Sequence, residues 1–423
     1  MNFLLLNQCF HPDVMATAQQ LTDLAVGLTE AGHKVTVIAG DRGYDDPAKR
    51  FPSRETWRGI NIIRIKSLAL GKKNRLRRAI NFASFLLNCS WQLLRLPRFD
   101  VVVALTSPPL ISFLGSLFVR IKGGKFFFWV MDLNPDEAIA AGWLKEKSLP
   151  AKTLAAMLKS SLEHADGIIA LDHFMKSRIV AKGIRPESVS VLPLWARDDE
   201  VHFDKEGREA FRREHGLTNS FVVMYAGNHS PCHPLHTLME AARELSARQD
   251  IVFLFVGGGS EQEKVRQFAA KHALGNVRCL PYQSVEALSA SLSAADLHTV
   301  VMGDAFVGIV HPCKLYNILR IGSPFLYIGP KQSHVSEIAG QLNNGHPAYW
   351  AENGDTQRVI KGILTELTAS LERKPRTVPK LAGSFSKQIL LPRMISLLAS
   401  QKPAEAALEK PIGDGQLLAG RLN

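Results

Sequence analysis

The chain has 423 residues, of which 46% are hydrophobic and 21% charged, so it can bury sizeable cores. Wholesale disorder, a collagen-like repeat and a coiled coil are excluded, and the length suggests two to three domains of about 150 residues. A formal net charge of +12 favours polyanionic partners: nucleic acid, an anionic membrane surface or phosphorylated small molecules.

Cys9, Cys89, Cys232, Cys279 and Cys313 are scattered without a C-x-x-C pair, which argues against a disulfide framework and for a reducing compartment. Residues 1–7 enter an apolar run without a basic leader region or a small-residue cleavage site. They are expected to form a first strand rather than a signal peptide.

The first half alternates short apolar runs with amphipathic stretches, the pattern of βα units around a parallel sheet. Strands are predicted at 3–6, 34–39, 60–65, 101–104, 125–130, 167–171 and 190–193, with helices at 16–31, 79–96, 109–121, 153–164 and 173–182. A polar, charge-rich segment over 197–218 interrupts the pattern. A second series then predicts strands at 221–225, 251–256, 277–280, 297–301 and 325–328, and helices at 235–248, 261–272, 285–294 and 312–319. The expected division is an N-terminal unit of 1–200 and a C-terminal unit of 201–384. A helix at 385–400 and a frayed tail at 401–423 follow. The fold class is α/β: two Rossmann-like, doubly wound domains facing each other across a cleft.

Ligands in such sheets bind beyond the strands' carboxyl ends, so the loops there carry the candidate chemistry. The loop 8–15 holds Cys9, His11 and Asp13, and with no glycine between Met1 and Val26 the dinucleotide fingerprint is absent from this turn. After the strand at 125–130 comes Met131-Asp132-Leu133-Asn134-Pro135-Asp136-Glu137. Asp136 and Glu137 suit a helix start, whereas Asp132, ahead of the proline, is harder to assign to capping.

Tyr225-Ala226-Gly227-Asn228-His229-Ser230-Pro231-Cys232-His233-Pro234 reads as strand, glycine turn and helix start, a place that receives an anion. His229, Cys232 and His233 are also a loose metal-ligand set lacking a fourth member. Gly257-Gly258-Gly259-Ser260 permits close backbone approach, and Pro281-Tyr282 ends the next strand where a flat base would lie. In Gly303-Asp304-Ala305-Phe306-Val307-Gly308-Ile309-Val310-His311-Pro312-Cys313-Lys314-Leu315-Tyr316-Asn317, Lys314 adds a full charge to the first helical turn. Asn317 lies one turn on, near the same face. The set fits a pyrophosphate and its adjoining ribose.

Between Trp57 and Phe99 there is no acid; Lys72, Lys73, Arg75, Arg77 and Arg78 lead into Ile80, Phe82, Phe85, Leu86, Leu87, Trp91, Leu93 and Leu94. Residues 72–96 are expected to meet an anionic membrane surface as an interfacial helix. No nucleic-acid motif is present, and no nucleic-acid partner is expected.

Residues 1 to about 400 resemble the GT-B glycosyltransferases of the retaining family 4 type, and are similar to the bacterial ones that build exopolysaccharide, capsule or O-antigen units. The resemblance rests on Gly32-His33-Lys34-Val35-Thr36-Val37, Asp132-Leu133-Asn134-Pro135-Asp136, Tyr225-Ala226-Gly227-Asn228, Phe253-Leu254-Phe255-Val256-Gly257-Gly258-Gly259 and His311-Pro312-Cys313-Lys314-Leu315-Tyr316-Asn317. It implies a nucleotide-sugar donor on the C-terminal domain, a lipid-linked glycan acceptor on the N-terminal domain, a final helix crossing back, and no cofactor or catalytic metal. By that resemblance Asp132 and Lys314 are catalytic. Gly227, Asn228, His233, Gly257, Gly258, Pro281, Tyr282, Asp304, Gly308, Ile309, His311 and Asn317 bind the donor, and His11, Asp136 and Glu137 the acceptor. The implied setting is cytoplasmic, peripherally attached to the inner face of the membrane. The chain departs from the family in having Asn317 where a glutamate is usual and histidines where the phosphate loop often has Arg or Lys. A nucleotide-sugar 2-epimerase and a non-catalytic scaffold share the layout and are the alternatives.

Overall fold

The computed structural model describes residues 1–13, 15–43, 48–68, 70, 75–342, 346–372 and 376–400. Two sheets organise them. The first contains β1 (Asn2–Leu6), β2 (Lys34–Gly40), β3 (Arg54–Trp57), β4 (Ile60–Ile65), β5 (Val101–Ala104), β6 (Lys125–Trp129), β7 (Gly167–Ala170) and β8 (Val189–Val191). Its order is β3-β4-β2-β1-β5-β6-β7-β8, parallel except for the edge strand β3. The second contains β9 (Phe221–Asn228), β10 (Ile251–Gly258), β11 (Val277–Leu280), β12 (Leu297–Val301), β13 (Phe325–Ile328) and β14 (Ala348–Ala351), in the order β11-β10-β9-β12-β13-β14, all parallel.

Strands covered by helices on both faces read as unbroken apolar runs, which is why Leu4-Leu5-Leu6 and Val101-Val102-Val103 lie fully buried. One apolar cluster runs from the first sheet through Phe306, Ile309 and Val310 to Phe325 and Tyr327, so the two lobes share packed surface. The helix Lys387–Ala399 returns to the first lobe, where Leu391 and Ile395 lie against Gly27 of the helix Ala16–Glu30.

Several elements differ from the sequence expectation. The polar segment at 197–218 contains a helix, Lys205–Glu214, capped by Asp204 and tied down by Arg208 and Arg212 on Asp296. It buries little apolar surface, so no hydrophobic period announces it. The edge strands β3 and β14 are four residues long, and only β14 has a buried member, Ala351. The helices His334–Gln341 and Thr356–Glu372 also lie outside the expectation. Lys72, Lys73 and the tail at 401–423 lie outside the described residues. Among the described residues no helix is long and apolar enough to cross a membrane.

Candidate active site

The order of the second sheet reverses at β9: β10 lies on one side, β12 on the other. Loops leaving β9 and β12 therefore part in opposite directions and open a crevice at their carboxyl ends. The two stretches singled out for an anion meet there. Lys314 opens the short helix Lys314–Arg320, and its Nζ stands 3.6 Å from the centre of the buried Tyr225 ring. A Cβ on Gly227 would lie 3.3 Å from that Nζ. The ammonium is buried and has no hydrogen-bond partner among the described residues. Burial lowers its pKa to about 7, with Cys313 acting weakly the other way.

Two histidines complete this wall. His229 is fully buried, and its Nδ1 donates to the Gly227 carbonyl at 3.0 Å, leaving Nε2 buried and unpartnered. His233 Nδ1 donates to the Val301 carbonyl at 2.7 Å. A carbonyl only accepts, so each ring carries its proton on Nδ1 and presents a lone pair at Nε2. Burial first, and then the charge of Lys314, hold His229 at about 4 and His233 at about 3.

Pairing of β9 with β10 continues through Gly227↔Gly257 and Asn228↔Gly258, beyond the predicted ends of both strands. Gly257 sits at φ +133°, and a Cβ there would be 2.1 Å from the Gly227 oxygen, so no other residue closes the strands this tightly. Tyr282 donates to the Gly258 carbonyl at 3.2 Å, its Cε2 lies 2.9 Å from where a Cβ on that glycine would sit, and Pro281 is exposed beside it.

The first lobe reaches this crevice through the loop after β6. Leu133 N–H donates to the Ile309 carbonyl at 3.0 Å, a backbone bond between lobes. Glu137 accepts from Asn134 at 3.0 Å and faces the Cys232 thiol at 3.6 Å. Burial, and then the charge of Glu137, push the Asp132 carboxyl well above the usual range. The field of Asp132 also reaches Cys232 and Cys313, the neighbour of Lys314. The half-buried Asp132 and the Lys314 ammonium thus act on a common neighbour, Cys313.

Residues 16–195 match the family described as "Glycosyl transferase 4-like domain", and residues 207–311 that described as "Glycosyl transferases group 1". The chain belongs to the GT-B glycosyltransferases. The transferase is 24% identical over 393 residues to the putative colanic acid biosynthesis glycosyl transferase WcaI of Escherichia coli K12, covering 88% of this chain and 95% of that one. Its fold matches sucrose-phosphate synthase from Thermosynechococcus elongatus, with a TM-score of 0.72 at 14% identity over 94% and 98% of the two chains. Anabaena HepE, solved with UDP-glucose, superposes with a TM-score of 0.67 at 15% identity over 94% and 98%.

Several residues expected to touch substrate are engaged elsewhere in the transferase. His311, expected at the donor, has both ring nitrogens occupied: Nδ1 by Asp172 at 2.7 Å and Nε2 by the Tyr316 hydroxyl at 2.6 Å. Asn317, expected at the ribose, uses its side-chain oxygen on the Arg197 amide at 3.4 Å. Gly308 sits at φ +70°, and a Cβ there would lie 2.6 Å from the Phe174 oxygen; the contact that demands glycine is between lobes. Asp304 is held at 2.9 Å by Asn353 on an exposed turn. Asp136 pairs with Lys182 at 2.6 Å, a tie within the first lobe rather than an open acceptor contact. His11 stacks on Trp57 at 4.0 Å, and its carbonyl accepts from Arg64. Among the described residues, His229, Cys232 and His233 do not bring their ligand atoms together as a metal would require; only Asp172, His311 and His334 do so.

Sequence reading missed Asp172 and His334. Asp172 looks like an ordinary helix cap before 173–181, and nothing local shows that it reaches the other lobe. Asp172, His311 and His334 bring their ligand atoms within 4.8 Å of one another. The two imidazoles, however, stack at 4.0 Å and 18°, which sends their lone pairs along near-parallel planes instead of to one metal position.

Proposed function

We propose that the transferase moves a glycosyl group from a nucleoside-diphosphate sugar to a lipid-linked glycan at an anionic membrane surface, with retention of anomeric configuration, in the synthesis of a cell-surface polysaccharide. The observation that carries the donor assignment is the buried, unpartnered Lys314 ammonium beside Gly227. A charge left without a counter-ion costs stability unless a ligand supplies one, and a sugar diphosphate supplies it. HepE, bound to UDP-glucose, and WcaI, named for colanic acid biosynthesis, support the same reading.

In the reaction the bond from the anomeric carbon to the diphosphate oxygen breaks, and the acceptor hydroxyl oxygen bonds to that carbon from the same face. The hydroxyl proton leaves with the diphosphate. Negative charge grows on the departing oxygens, and Lys314 meets it where water is excluded. Asp132, kept neutral by burial and by Glu137, donates a hydrogen bond to a sugar hydroxyl, as a carboxylate there could not. This mechanism needs no metal or other cofactor. Mixing the chain with UDP, GDP, ADP and TDP and their sugars in a thermal-shift series tests the donor. A raised melting temperature with at least one is expected; no shift with any favours the scaffold reading. Release of free nucleotide and sugar without an acceptor points instead to an epimerase.

The membrane assignment rests on the helix Arg75–Arg95. One face, Phe85, Cys89 and Leu93, is buried in the first lobe. The opposite stripe, Ile80, Leu87, Trp91 and Leu94, is open, with Leu87 72% and Trp91 57% exposed. Leu117 and Ile121 of the neighbouring helix Ile111–Lys122 enlarge the apolar area. Arg77, Arg95, Arg98 and Arg120 are exposed around it, and Arg95 lies over the Trp91 ring at 4.3 Å. An apolar stripe rimmed by arginines fits the headgroup boundary of anionic lipid. Leu87→Glu with Trp91→Glu is expected to lower cosedimentation with phosphatidylglycerol vesicles at least tenfold, without changing the melting temperature, because both side chains already face solvent. A wild-type chain that stays in the supernatant at low salt makes a soluble acceptor the better assignment.

A further inference from the structure

Asp172 follows β7 in the first lobe and takes part in two separate contacts. Its Oδ1 accepts the Met175 amide at 2.8 Å, capping the helix His173–Ala181. Its Oδ2 accepts His311 Nδ1 from the second lobe at 2.7 Å, with His334 Nδ1 at 3.6 Å. All three side chains are at most 7% exposed. Burial alone would raise the Asp172 pKa; the His311 hydrogen bond, the His311 and His334 charges and the Met175 amide outweigh it and hold the carboxyl well below its usual range. A capping carboxylate has no need of the His311 contact.

The chain of contacts continues from His311 to the segment that carries Lys314. His311 Nε2 meets the Tyr316 hydroxyl at 2.6 Å, in the first turn of the Lys314 helix. The Tyr316 ring stacks on Phe385 at 4.4 Å, and the Phe385 carbonyl accepts the Ala196 amide at 2.8 Å. Residues 196 and 385 belong to the two crossings between the lobes. Around Asp172 the lobes also meet through Arg178 on the Val307 and Ala305 carbonyls, His173 on Glu337 at 3.0 Å, and the glycine contact at 308.

We propose that Asp172 is a positioning residue. Through His311 and Tyr316 it sets the Lys314 helix in place, and it does so only while the two lobes are together. The first lobe thereby completes the phosphate-binding side of the second, and opening the cleft slackens the grip on the leaving group. The proposal rests on the Lys314 assignment for its effect on turnover, but not for its effect on lobe closure.

Asp172→Ser separates the two duties, because serine still caps a helix but is too short to reach His311. Two measurements on the full chain follow. Small-angle scattering of the ligand-free variant is expected to give a larger radius of gyration than wild type. Calorimetric titration with inorganic pyrophosphate is expected to show at least tenfold weaker binding by the variant than by wild type. In a Lys314→Ala background the same substitution is expected to cost nothing further, since residues acting through one group are non-additive. An unchanged radius of gyration, or an equal added loss in both backgrounds, overturns the proposal and leaves Asp172 a simple cap. If wild type does not bind pyrophosphate, the donor-site assignment fails and scattering alone decides the coupling.

Discussion

Lys314→Ala is expected to lower kcat by about 10²–10³-fold, the usual loss on removing one preorganised donor aimed at growing negative charge. The effect falls on kcat because the charge on the diphosphate increases as the glycosidic bond breaks, so the interaction is stronger in the transition state than before it. The fold should survive. Nζ makes no hydrogen bond among the described residues, and its neighbours are the face of Tyr225 and the Gly227 turn. Loss of the desolvated cation–π contact costs about 2 kcal/mol, and relief of a buried, partnerless charge offsets it. Steady-state kinetics with a thermal melt check both halves. Near-wild-type turnover in a well-folded variant removes Lys314 from the mechanism.

Donor affinity is expected to be level below pH 7 and to weaken about tenfold per pH unit above it. Burial leaves the free Lys314 with a pKa of about 7, and a bound diphosphate, being anionic, favours the protonated form and raises that value. Below the free-state pKa both states are protonated, and pH has no effect on binding through this group. Above it, binding must take up a proton, and the penalty grows until pH passes the higher bound-state value. His229 at about 4 and His233 at about 3 are neutral throughout this range in the free protein. Calorimetric titrations with the nucleotide of largest thermal shift, from pH 5.5 to 9, measure the curve. A flat profile to pH 9 means the ammonium does not face the phosphates.

Much of the site was legible because it sits on backbone features that leave sequence marks. Gly227, Gly257 and Gly258 mark a place where two strands close beyond the reach of any side chain, and that closure is what the structure shows. Lys314 stands out as a charge in an otherwise apolar helix start, and it is buried beside them. Asp132 stands out as an acid with no capping duty. His311, Asn317, Gly308 and Asp136 carry the same kinds of mark, yet their partners are Asp172, Arg197, Phe174 and Lys182. Three of those four partners lie at least 120 residues away. A local pattern shows that a polar group needs a partner but not which group supplies it.

By itself the sequence determined the two parallel sheets, since unbroken apolar runs spaced by amphipathic helices can be buried in few other ways. It also determined which loops leave the strands' carboxyl ends, and so where a ligand could lie. Tertiary structure alone decided which side chains remain available to that ligand. It set the pKa of Lys314 and of Asp132 through burial, and it joined Asp172 to His311 across the cleft. These are properties of distance and desolvation between segments far apart in the chain, and they arise only when the lobes come together.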